Sequence, residues 1–100
     1  MRTVDVAYAA GFFDGEGNVS NKYNGDHLQA NVAQNERLPL EWLQVLFGGH
    51  IYKTGGKRAT CYKWAVNGHE AYKFLDVILP FLMVKEAEVK EVMEKWVNRV

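Results

Sequence analysis

One hundred residues, 48% hydrophobic and 13% aromatic, are enough for one compact domain with a modest core, taken here as residues 1–100. Twelve basic and twelve acidic residues cancel, so total charge singles out no polyanionic partner. The single Cys61 excludes an internal disulfide, and no basic N-terminal region leads into a long apolar run. The expectation is an intracellular chain, in cytoplasm or an organelle matrix, that is neither secreted nor membrane-spanning.

In chain order, Thr3 is a suitable N-cap for a helix starting near Val4, with Asp5 in the first turn and Gly15 as its stop. At 3.6 residues per turn, Ala7, Ala10, Gly11 and Asp14 fall on one side; Val6, Tyr8, Ala9, Phe12 and Phe13 fall on the other. The bulky side reads as a core contact. The small side admits a second helix backbone at close range, as small residues four apart do in tight helix pairs. The helix ends on two carboxylates, Asp14 and Glu16, around a glycine. A solvated turn accounts for such a pair as readily as a site does.

A hairpin follows: Val19 to Tyr23, a turn with Asn24-Gly25 at its centre, and His27 to Gln34. Asn-Gly is the favoured type I′ pair. On the return strand Leu28, Ala30 and Val32 point one way, while His27, Gln29 and Asn31 point the other, joined by Ser20 and Lys22 from across the hairpin. Pro39 then opens a short helix whose Leu40, Trp42, Leu43, Val45, Leu46 and Phe47 are core and which Gly48-Gly49 stops.

The second hairpin runs from Ile51 to Lys53, turns at Thr54-Gly55-Gly56-Lys57 and returns over Thr60 to Val66. Tyr62, Trp64 and Val66 share one face; Cys61, Lys63 and Ala65 share the other. Between His50 and His69 lie Lys53, Lys57, Arg58 and Lys63 and no carboxylate, whereas acids gather in residues 86 to 94. Such lysines either solvate an edge against aggregation or hold phosphates. A third helix covers Glu70 to Leu79, Pro80 breaks it, and a fourth covers Lys85 to Val97 with Val89, Val92, Met93 and Trp96 inward.

The order helix, hairpin, helix, hairpin, helix, helix specifies an α+β chain. One face of a four-stranded antiparallel sheet packs on the helices and the other stays free. On that free face Ser20, Lys22, His27, Gln29 and Asn31 meet Tyr52, Lys53, Thr54, Lys57, Arg58 and Lys63. Cations there suit phosphates and amides suit base edges in a major groove; plain exposure to solvent is the competing reading. The three histidines are too far apart in sequence, and Cys61 too isolated, for a structural zinc site.

Residues Ala9 to Gly17, Ala-Ala-Gly-Phe-Phe-Asp-Gly-Glu-Gly, resemble the signature of the LAGLIDADG homing endonucleases. Ala9 stands for the leading leucine and Glu16 for the last aspartate. The likeness continues through Cys61 to Val66, Lys73-Phe74-Leu75, and Leu79-Pro80-Phe81-Leu82 followed by Lys85. It implies the αββαββα(α) core and a metal-dependent endonuclease cutting double-stranded DNA at a roughly palindromic site.

Since no second copy of the signature occurs in the chain, it also implies a homodimer, built on Ala7, Ala10, Gly11 and Asp14. By position, Lys85 corresponds to the family's active-site lysine and Gln34 to a water-positioning polar residue. Glu16, with the backbone oxygen of Gly15, would hold Mg²⁺ or another divalent cation such as Mn²⁺, which hard oxygen ligands favour over zinc. Asp14 goes to helix capping and dimer packing. Two rivals remain: a non-cleaving DNA- or RNA-binding module of the same fold, acting as a regulator or intron-splicing helper, and a small dimeric protein-interaction domain.

Overall fold

The computed structural model describes residues 1–54 and 61–99. Its elements are α1 (Thr3–Glu16), β1 (Gly17–Lys22), β2 (His27–Gln34), α2 (Arg37–Phe47), β3 (His50–Thr54), β4 (Cys61–Asn67), α3 (Gly68–Ile78), a 3₁₀ turn (Leu79–Phe81) and α4 (Glu86–Val97). The four strands form one antiparallel sheet in the order β1-β2-β4-β3, so the two hairpins join through β2 and β4. The expected α+β architecture is present.

Alternation sets the two sheet faces. Val19, Leu28, Ala30, Val32, Trp64 and Val66 are buried against the helices. At the centre of that core, Phe74 of α3 meets Phe13, Phe47 and Trp64 edge-to-face at centroid distances of 5.4, 4.8 and 5.0 Å. The Trp64 indole N–H donates to the Gly48 carbonyl at 2.8 Å, which lets a polar group sit in an apolar layer. Val89, Val92, Met93 and Trp96 bury one stripe of α4, as their spacing requires.

The first hairpin turns as Asn-Gly demands: Asn24 and Gly25 have φ of 58° and 90°, and the Asp26 N–H donates to the Tyr23 carbonyl. A Cβ on Gly25 would stand 2.5 Å from the Lys95 carbonyl, so the turn lies directly against the end of α4. The turn expected at Thr54 to Lys57, and Thr60, lie mostly outside the described residues.

Several expectations are corrected. Thr3 is the first residue of α1 and not its cap; Arg2 precedes it, without a side-chain cap bond. Gly15 does not stop the helix, which runs on to Glu16 and closes with the Gly17 N–H donating to the Phe13 carbonyl. Tyr8, assigned to the core face, is 67% exposed, and Ala10, assigned to the small outward face, is completely buried. Val45, assigned to the core, is 83% exposed.

Candidate functional site

The chemistry-bearing residues gather where α1 runs into β1. Asp14, in the last turn of α1, turns its carboxylate toward residues 83–85, ahead of α4. It accepts the N–H groups of Met83 at 2.8 Å, Val84 at 2.9 Å and Lys85 at 2.8 Å. The Lys85 ammonium returns the contact, donating to the Asp14 carbonyl oxygen at 2.7 Å. Burial pushes the Asp14 carboxyl up, but the donors at Val84, Lys85 and Met83 and the Lys85 charge outweigh it. The group therefore lies below its ordinary 3.8. Asp14 thus caps the turn ahead of α4, 69 to 71 residues away, rather than its own helix.

Two residues on, Glu16 is exposed, with no hydrogen bond or ion pair among the described residues. Gln34 comes to the same end of the sheet: β1 starts at Gly17, opposite Val32, and Gln34 lies two residues further along β2, paired with Tyr62. The structure thus brings a free carboxylate, a fixed ammonium and an amide to one end of the molecule. Among the described residues of one protomer, no three His, Cys, Asp or Glu side chains converge. One free carboxylate and the neighbouring backbone oxygen of Gly15 suit a hard divalent cation that completes its sphere with water and phosphate oxygens. They do not make a closed all-protein cage.

Beside this end lies the helix-free sheet face. Register places Asn18, Ser20, Lys22, His27, Gln29, Asn31, Ala33, His50, Tyr52, Thr54, Cys61, Lys63, Ala65 and Asn67 on it. Among these described residues there is no carboxylate. Of the residues expected there, Ser20, Lys22, His27, Gln29, Asn31, Tyr52, Thr54 and Lys63 are in place. Lys53 is not: it pairs with Tyr62, in the row beyond Ile51 and Trp64, and so belongs to the helix side, where an edge position keeps it exposed. Lys57 and Arg58 lie outside the described residues. Asn67, absent from the sequence reading, joins the face through its register with Gln29.

Along α1 the exposed Val4, Tyr8, Gly11 and Gly15, spaced 4, 3 and 4 apart, form one outward stripe. A Cβ at Gly11 or Gly15 would meet nothing within 4 Å in the protomer. Of the residues assigned to self-association, Gly11 lies on this stripe and Ala7 is half-buried; Ala10 is taken up by the core and the Asp14 carboxylate by the turn it caps. Apolar side chains border the stripe. Tyr8 packs edge-on to Trp42 at 5.3 Å and lines an apolar hollow with Val4 and Leu38. The exposed Met83 and Val84 are held at the far end by Asp14.

No family model matches the chain. Its fold is that of the LAGLIDADG homing endonucleases. The homing endonuclease I-CvuI, crystallised with its target in the presence of calcium, superposes with a TM-score of 0.75 at 22% identity, over 91% of this chain and 64% of that one. The archaeal intron-encoded homing endonuclease I-Vdi141I, complexed with DNA, gives 0.73 at 24% identity, over 91% and 65%. In sequence, the chain is 31% identical over 75 residues to the intron-encoded RNA maturase bI4 of Saccharomyces cerevisiae. That match takes in 70% of this chain but only 12% of the maturase.

Proposed function

We propose that two copies of this chain pair along the outward stripe of α1 and act as a metal-dependent endonuclease on double-stranded DNA, at a roughly palindromic site. The observation that carries the reading is an exposed Glu16 at the tip of α1, unpaired among the described residues, two residues from the Asp14 that fixes Lys85 and next to a sheet face whose described residues include no carboxylate. A two-fold contact along Val4, Tyr8, Gly11 and Gly15 would bring the two tips together, each with its own Glu16.

Phosphodiester hydrolysis needs an activated water, charge neutralisation at the phosphoryl oxygens and relief of charge on the leaving oxygen; a bound divalent cation supplies these. In this chain Glu16 and the Gly15 carbonyl would hold Mg²⁺ or Mn²⁺. Lys85, pinned to α1 through its backbone and its ammonium, keeps a positive charge beside the scissile phosphate. Gln34, at the same end of the sheet, would orient water. The sheet face lies in the major groove, with Lys22 and Lys63 on phosphates and Tyr52, Thr54 and the amides toward bases.

One observation favours a second reading, a DNA- or RNA-binding module that does not cut: the 31% identity is to an RNA maturase. The test is a randomised duplex library with Mg²⁺, treated with the parent chain or with Glu16→Gln. The endonuclease reading expects cut duplexes from the parent and intact, retained duplexes from the variant. Retention without cutting by either chain would move the assignment to the non-cleaving module.

A further inference from the structure

On the free sheet face, three amide side chains are tied into one ladder. The Asn31 Nδ2 donates to the Gln29 Oε1 at 3.0 Å, and the Gln29 Nε2 donates to the Asn67 Oδ1 at 2.9 Å. Asn67 occupies the N-cap position of α3, where an asparagine ordinarily satisfies the first turn of its helix, yet it makes no cap bond there. Its oxygen is given to Gln29 instead. Asn31 is 6% exposed, the buried polar residue of this face, and its own Oδ1 has no partner among the described residues. Burial of that kind costs free energy without a contact of its own in return. The cost is understandable if Asn31 serves to hold Gln29.

Counting valences shows what the ladder leaves over. A glutamine amide has two acceptor lone pairs and two donor hydrogens. Gln29 spends one acceptor on Asn31 and one donor on Asn67, which leaves one of each. One acceptor beside one donor matches the N6 donor and N7 acceptor that adenine shows in the major groove. Guanine shows two acceptors there, and a single remaining donor satisfies only one of them. Because its two partners lie beside it on the sheet, Gln29 is oriented before DNA arrives, and little rotamer freedom remains to be lost on contact.

We propose that Gln29 reads an adenine in each half-site, with Asn31 and Asn67 as its positioning residues. This rests on the DNA-binding reading given above. The test is selection of bound duplexes from a randomised library by the full chain, by Gln29→Ala, by Gln29→Glu and by Asn67→Leu, each checked for native circular dichroism. The parent should enrich adenine about tenfold at one position per half-site. Gln29→Ala should abolish that preference and leave the other positions as they were. Gln29→Glu, now acceptor-only, should move it toward cytosine, whose N4 donates. Asn67→Leu should weaken the adenine preference without changing which base is chosen. Unaltered preferences in Gln29→Ala would overturn the assignment while leaving DNA binding intact. Failure of the parent to retain any duplex would overturn both.

Discussion

Asp14 joins the helix that carries Glu16 to the turn that carries Lys85, and three backbone donors depend on its two oxygens. Replacing it with alanine should cost about 1–2 kcal/mol, the range for losing a capping carboxylate, read as a lower midpoint in urea unfolding. Asparagine, which keeps one acceptor oxygen, should cost less. Stability should also follow pH in a definite direction. Folding lowers the Asp14 carboxyl below its ordinary 3.8, so the unfolded chain takes up the proton first as pH falls. The contribution is complete above that ordinary value and disappears as pH drops through the folded one. Unfolding midpoints of the parent and of Asp14→Ala should therefore converge in strong acid. A constant gap down to that range would contradict the role given to Asp14.

Residue identities alone could not give this role, because the partners of Asp14 are remote in the chain and are backbone groups, which leave no trace in side-chain pattern. Lys53 failed for another reason. Its charge suggested the open face, but at the edge of the sheet a long aliphatic stem reaches water from the helix side as well. Gln29, Asn31, Ser20 and Lys63 were legible, since strict alternation fixes the face of a strand once one buried row is known.

At the scale of elements, α1 was the hardest to orient. Apolar and small residues surround it on every side, so helical period alone does not say which of Tyr8 and Ala10 faces inward. Packing against α3 and the sheet decides it: Ala9, Ala10 and Phe13 go in, and Val4, Tyr8, Gly11 and Gly15 go out. The two hairpins and α4 were legible, because Asn24-Gly25 fixes one turn and each of these elements has one apolar face.

Open space around Gly11 makes a sharp prediction possible. In an isolated protomer, Gly11→Leu meets no obstacle and gains helix propensity of about 1 kcal/mol, so the single chain should fold at least as stably as the parent. In a pair of helices in close contact the added side chain separates the backbones. Sedimentation equilibrium should show the parent as a dimer and Gly11→Leu as a folded monomer. Equal masses for the two chains would remove the stripe from the interface.

Across the whole molecule, a net charge of zero conceals a division. The described sheet face carries Lys22 and Lys63 and no carboxylate, while Glu86, Glu88, Glu91 and Glu94 lie along α4 on the helix side. Total charge therefore said little about a partner, and its distribution says more. The same division leaves the tip of α1, with its exposed Glu16, at the border between the polar face and the helices.

Two such tips meeting beside DNA would bring the two Glu16 positions close together. A nitroxide at Glu16→Cys in a Cys61→Ser background reports that distance through electron–electron dipolar coupling, measured with a retained duplex present. Strong coupling with one short distance, abolished by Gly11→Leu, is the expected result. Absent coupling in the parent background, or a long distance that Gly11→Leu leaves unchanged, would contradict it.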